Sequence, residues 1–235
     1  MIRRPPRSTL DRSSAASDVY KRQIPLFPLN VTLFPHMTLP LHIFEQRYRT
    51  MMKDIMDGDK LFGVVLIKSG PEVGGPAIPY SIGTTAMVET TKTLDDGRLN
   101  ISTKGLDRFR IKNIIRNTPY LFANVDIIPE DTSIDLGAHQ SLLDEVRELT
   151  REYVKGLVGL EGGWMQSVSL PDTGNKLSYF IASVLRVDAN VKQQLLEIPG
   201  TLDRFKQEAI ILREQVKKVQ IRIQKKYKFP KSGFN

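Results

Sequence analysis

The chain contains no cysteine. That excludes a disulfide framework, a thiolate zinc site and a cysteine nucleophile, and it suits a cytoplasmic protein. No apolar run approaches the roughly 18 residues of a membrane span. No G-x-x-x-x-G-K-[ST] is present, so there is no P-loop to cradle a nucleotide. The glycine-rich stretch Gly70–Pro76 lacks the lysine and hydroxyl residue that such a loop needs. There is no G-x-S-x-G elbow, and no serine sits in a glycine-rich strained turn. Histidine is scarce, at three residues: His36, His42 and His139. A metal-protease helix needs two histidines one turn apart beside a glutamate, and His42 with Glu45 supplies only one. The pair Asp95–Asp96 falls in a turn pattern, where aspartate is a turn residue first. These absences leave no catalytic residue, no metal site and no cofactor to assign.

A net charge of +8 on 235 residues invites a nucleic-acid reading. Its distribution argues the other way. Residues 1–23 carry six Lys/Arg against two Asp, and residues 201–235 carry ten against three, whereas residues 24–200 carry 18 against 21. The basic charge is therefore terminal and the body slightly acidic. Aromatics are sparse beside the basic pairs Lys217–Lys218 and Lys225–Lys226, so the interleaving of a single-strand platform is missing. Hydrophobic residues at 40 % and charged residues at 26 % describe a globular chain.

Residues 1–23 have no hydrophobic periodicity. They are rich in Arg and Ser, and they look like translated sequencing-adapter sequence in front of the domain. A transit peptide is the other reading, and it leaves organellar targeting open. From Ile24 apolar runs follow closely: Ile24–Asn30, Val31–Pro35, Thr38–Ile43, Leu61–Lys68, Tyr80–Thr93, Leu99–Thr103, Arg108–Ile115 and Tyr120–Ile128. All read as strands or extended pieces, and the prolines in the first two place those at sheet edges or end them. One helix interrupts them, with Phe44, Tyr48, Met51, Met52, Ile55 and Met56 on one stripe. Gly58 suits its C-cap. Asp96–Gly97 marks a hairpin turn, and Asn117–Pro119 another turn. From Ser133 the period is helical, through Leu142, Leu143, Val146, Leu149, Tyr153 and Leu157, then Lys176–Arg186, then Val187–Glu197 with Asp188 as N-cap. Thr201 can cap the last helix. There Leu202, Phe205, Ala209, Leu212, Val216, Val219 and Ile223 alternate spacings of three and four, an a/d seam over about three heptads. Packing within the domain is one use of that seam. Self-association or a coiled-coil partner through Leu202, Phe205, Leu212, Val216, Val219 and Ile223 is the other. The architecture expected is α+β: a β-rich unit over 24–132 with one inserted helix, a helical unit over 133–228 and a tail over 229–235.

Several separate motifs, in order, resemble one family. They are PLFPLNVTLFPHMTLPLHIFEQRYR (Pro25–Arg49), GDKLFGVV (Gly58–Val65), DGRLNISTKGLDRFRI (Asp96–Ile111), PYLFANV, LSYFIAS and LLEIPGTLDRF (Leu195–Phe205). Together they look like the amino-terminal, substrate-binding domain of Lon proteases, over about residues 24–216. The resemblance implies a PUA-like β pseudo-barrel followed by a helical subdomain. It also implies a non-catalytic recognition role toward unfolded or tagged polypeptides in quality control or regulated proteolysis. The chain then stands alone or is the front of a full ATP-dependent Ser–Lys protease. A PUA-like RNA-binding module is a further alternative. A ligase adaptor would need an additional zinc module that is absent here. A polypeptide binder needs adaptable apolar surface or free strand edges. Met51 and Met52 are candidates for the first unless they are core, and Arg47 and Arg49 for contacts to acidic or backbone groups.

Overall fold

The computed structural model describes residues 21–130 and 136–227. The strands are β1 (Lys21–Leu29), β2 (Thr38–Ile43), β3 (Leu61–Ser69), β4 (Ile78–Pro79), β5 (Ile82–Thr93), β6 (Leu99–Arg116) and β7 (Leu121–Ile127). Helix α1 (Gln46–Met56) lies between β2 and β3. Helices α2 (Gln140–Leu160), α3 (Gly174–Val184), α4 (Ala189–Glu197) and α5 (Thr201–Lys226) follow the strands. The sheet runs β1–β7–β6–β5–β3, and a parallel β1–β3 pairing closes the ring. The expected order, barrel then helices, is the one observed. The boundary expected at 132/133 lies outside the described residues, as do residues 1–20 and the tail from 228.

β1 shows how two prolines fit a strand that is paired on both sides. Lys21–Leu26 pair with β7, and Leu26–Leu29 pair with β3. Pro25 and Pro28 therefore each lie on a stretch with one open side, so the edge rule for proline holds locally. The strand also starts at Lys21, so the expected leader boundary at 23 falls inside it. The two segments read as Leu99–Thr103 and Arg108–Ile115 form one 18-residue strand, β6. Its first half pairs with β2 and its second with β7. Between the halves the β5–β6 register shifts, with Thr84 opposite Arg108 and Ala86 opposite Gly105. Thr85 Oγ1 donates to Asp107 O and accepts from Asp107 N across this bulge. Such a bulge bends a strand, and here it lets β6 change partners. Gly63 and Gly83 leave room for the Phe109 ring, which fills the barrel beside Leu26 and Val65.

Val31–Pro35 is not a strand but a loop that plugs two cores. Leu33 joins the cluster under α1, and Phe34 enters the helical core. Gly58 is not the left-handed residue after α1. Lys60 is, at φ 57°, with its N–H on Ile55 O. Asp188 does sit at the N-cap of α4, through its backbone carbonyl alone. Thr201 is the first residue of α5, behind Gly200 as N-cap.

The heptad seam of α5 has its partner in the same chain. α2 and α5 run parallel. Arg213 bonds Glu145 at 2.7 Å, Gln220 bonds Glu152, and the Tyr227 hydroxyl bonds Gly159 O at 2.9 Å. Each step advances both helices by seven residues, which is the spacing of a coiled coil. Phe205, Ala209, Leu212, Val216 and Val219 are buried in the core with Leu143, Val146 and Tyr153. Leu202 is half-buried, and Ile223 packs on the same core. Val219 lies where a side chain on Gly156 would be. The pattern was read correctly, but the seam is not free for another molecule, because α2 occupies it.

Candidate functional site

Helix α1 packs its apolar stripe inward. Tyr48, Met51, Met52 and Ile55 are buried among Ile43, Phe62, Val88 and Ile101. Met51 is 0 % and Met52 1 % exposed, so neither offers an adaptable surface. That expectation is corrected: the three- and four-residue spacing that made them candidates is the spacing of a core face. The phenol of Tyr48 is pushed up to about 12, chiefly by burial.

The end of α1 near Glu45–Tyr48 carries the loop Gly70–Pro79. Arg47 donates to Gly75 O at 2.9 Å and to Glu72 O at 3.4 Å, and it pairs with Glu45 at 3.0 Å. Its guanidinium stands 4.5 Å from the Tyr48 ring centre. Glu45 accepts from Gly74 N, and the Glu72 carboxylate accepts two bonds from Asn30. Arg47 is thus spent on holding a loop. Arg49 is on the other side of the helix and has none of these contacts.

The tethered loop walls two shallow cavities that share Tyr48. One, of about 290 Å³, lies among Pro28, Tyr48, Ile78, Pro79, Ile114 and Tyr120. It opens where β1 has left β7, at Pro28. The Tyr120 hydroxyl donates to Asp54 at 2.6 Å and accepts from Arg116, which fixes the far wall. Burial, followed by the bond to Asp54, raises that phenol above its ordinary value. The other cavity, of about 270 Å³, lies among Phe27, Leu29, Leu41, Phe44, Tyr48 and Val73. Phe44, Val73, Ile78 and Ile114, which line them, are exposed, Ile78 to 62 %. Large apolar side chains clustered at a cavity rim mark an interaction surface. This patch was missed in the sequence, because Ile78 falls between a loop and a strand, Ile114 looks like an ordinary strand residue, and the two become neighbours only through the fold.

The remaining sequence candidates fall elsewhere. His42 faces Asn100 at 2.7 Å and stacks on Phe44, while its supposed partner Glu45 serves the loop. Asp96 accepts from Arg98 N–H and its guanidinium, which hold its carboxyl below the ordinary value. This is the turn role expected, with Gly97 at φ 78°. Among the described residues no cluster of His, Asp and Glu is placed to hold a metal ion. No described helix is long and apolar enough to cross a membrane.

The polar groups buried most deeply are structural. Arg108 on β6 donates to Glu130 at 3.0 Å and to the carbonyls of Leu196, Ile198 and Pro199 at the end of α4. Arg204 donates to Ser178 Oγ and Ile198 O and lies 4.1 Å from the Tyr179 ring centre. Ser178 donates to Glu208, and Tyr179 donates to Glu130. Complete burial raises the Glu208 carboxyl well above its ordinary 4.5. This network joins barrel to helices and opens on no cavity described here.

Comparison with known proteins agrees with this arrangement. The family model of the ATP-dependent protease La (LON) substrate-binding domain matches residues 23–214. A Lon protease of Desulfosudis oleivorans is 29 % identical over 197 residues, covering 82 % of this chain and 23 % of that protein. Lon protease 2 of Myxococcus xanthus is 28 % identical, covering 78 % and 22 %. The chain therefore spans about a quarter of the length of these relatives. Among solved structures, a Lon N-terminal domain protein from Xanthomonas campestris superposes with a TM-score of 0.59 at 24 % identity, covering 79 % of this chain and 96 % of that one. The N-terminal domain of a Mycobacterium avium complex Lon protease gives 0.58 at 13 % identity, covering 83 % and 98 %.

Proposed function

We propose, for a chain that belongs to the LON substrate-binding domain family, that it is a non-catalytic receptor for unfolded or tagged polypeptide, acting in proteolysis and protein quality control. A cytoplasmic setting suits a chain without cysteine. The observation that supports the reading most is the apolar surface around the loop Gly70–Pro79. Two cavities, each large enough for one side chain, share a wall, and the exposed Phe44, Val73, Ile78 and Ile114 line them. An extended segment can place apolar side chains there without a defined sequence, which is what a receptor for many unfolded chains needs. Arg47 acts as a positioning residue, because it holds the loop rather than the ligand.

The relatives matched are Lon proteases of which this chain spans about a quarter. That supports a second element of the reading: the domain hands its polypeptide to an ATP-dependent protease, in the same chain or a separate one. The test is binding of a fluorescently labelled unfolded polypeptide to the 235-residue chain. Ile78→Asp with Ile114→Asp is expected to weaken binding by about tenfold or more, as loss of a central apolar contact does, and to leave thermal unfolding unchanged. Unchanged affinity in a folded double variant would remove the groove from the reading. Absence of binding by the native chain would remove the receptor function.

A further inference from the structure

The opposite flank of α1 carries a second groove, of about 660 Å³, between the helix and the arm formed by β5 and β6. Arg49 and Lys53 lie along it, one helical turn apart. Neither side chain has a carboxylate or a hydrogen-bond partner among the described residues. Like charges at this spacing repel and weaken a helix. Asp54 also lines the groove, with its carboxylate on the Tyr120 hydroxyl, so the two cations face one carboxylate there, while Asp96 takes Arg98. The Arg49 guanidinium rests against the turn at Gly97, where any side chain would collide with it. Thr91 and Thr93 line the groove, and half-buried Met56 and Leu99 supply apolar floor.

We propose that this groove binds an acidic segment of the polypeptide substrate, with Arg49 and Lys53 taking its carboxylates and Met56 and Leu99 taking the aliphatic parts between them. This rests on the receptor reading above and deepens it by naming a preferred class of segment. The unpaired cations select an acidic partner over a basic one. The apolar floor favours polypeptide over a bare polyanion. Arg47 shows the contrast on the same helix, since its two terminal guanidinium nitrogens already have acceptors inside the protein.

The experiment uses the full chain and two labelled unstructured peptides of equal length and apolar content. One carries Asp and Glu, the other Asn and Gln at the same positions. The acidic peptide is expected to bind about tenfold tighter at low salt, with the advantage shrinking as salt screens it. Arg49→Gln with Lys53→Gln should abolish that advantage and leave the neutral peptide's affinity as it was. Arg49→Glu with Lys53→Glu should transfer the preference to a Lys/Arg peptide. Equal binding of the two peptides by the native chain overturns the inference while leaving the receptor reading intact, and so does a double variant that weakens both equally. If neither peptide binds, both fall. A single-stranded RNA that binds as tightly as the acidic peptide and loses affinity in the same variant assigns the groove to polyanions at large, which also overturns the proposal.

Discussion

Arginine is used in opposite ways in two regions of this molecule. Between barrel and helices, Arg108 and Arg204 are buried beside the Tyr179 ring, Arg108 among three carbonyls and the Glu130 carboxylate, Arg204 among two hydroxyls and a carbonyl. On α1, Arg47 ties a loop at the rim of an open cavity, and the Arg49 side chain has no hydrogen-bond or ion-pair partner among the described residues. The first region cannot release a donor without stranding acceptors in the interior. The second has spare capacity facing solvent. A receptor needs both: a frame that does not yield and a surface with unspent interactions. The order of cost predicted for substitution follows from this difference.

The largest effect is expected at Arg108. Arg108→Met keeps volume but strands the carbonyls of Leu196, Ile198 and Pro199 and deprives Glu130 of its arginine partner. Removing one side of a buried ion pair costs about 3–5 kcal/mol. Urea unfolding should show a loss of that size. A loss below about 1 kcal/mol, the scale of a single exposed pair, would erase the contrast between the regions.

Glu208 sharpens it within the frame. Its folded pKa lies above the ordinary 4.5, because burial disfavours the carboxylate more than Arg204 and Ser178 favour it. The folded state therefore keeps a proton that the unfolded state has lost once the pH exceeds 4.5. Stability contributed by that proton is fully present below 4.5 and declines as pH rises toward the folded pKa. Glu208→Gln resembles the protonated acid and cannot ionise. It should match the native chain at low pH and exceed it by on the order of 1 kcal/mol at neutral pH. Unfolding midpoints across pH measure this, and parallel curves for the two proteins would show that Glu208 carries a charge in the fold.

A smaller cost is expected on the loop side of α1. Arg47→Met removes three polar contacts from a partly exposed site, worth about 1 kcal/mol in all. Its signature is local. Amide exchange should quicken through Gly70–Pro79 and not in the barrel, and polypeptide affinity should fall with it. Uniform quickening would mean that Arg47 supports the frame.

Most of the frame was legible in the sequence, because it follows from local rules. β2 and α1 come from alternation and three-four spacing, the Asp96–Gly97 turn from turn chemistry, and the α5 seam from its heptads. What was not legible depends on tertiary partners. The loop Val31–Pro35 has the composition of a strand, yet its two large residues enter different cores. The bulge that joins the halves of β6 shows in sequence only as Lys104–Asp107, an interruption that reads as a gap. The α5 seam gives no hint whether its partner is internal. The surface was less visible still. Arg47, Arg49, Met51 and Met52 are adjacent on the chain, but the helix sends them to a tether, an open groove and the core. Ile78 and Ile114 come from distant strands and share no motif.

Arg49 gives the smallest predicted effect and the most direct comparison with the frame. In a residue kept for stability, neutralisation costs energy. In a cation beside Lys53 with no ion-pair partner among the described residues, neutralisation removes a repulsion. Arg49→Gln should therefore stabilise the chain by about 0.3 kcal/mol, the size of one pair at this helical spacing, and the gain should fade at high salt. Glutamine keeps the helical propensity close to that of arginine, so the change isolates the charge. Paired denaturation curves at low and high salt resolve the sign. A salt-dependent gain would mean that the fold tolerates an unfavourable charge pair on its surface, which is expected where that pair serves a ligand. A loss of stability at both salt concentrations would place the Arg49 contact with the Gly97 turn in the frame and leave α1 with no cation to spare.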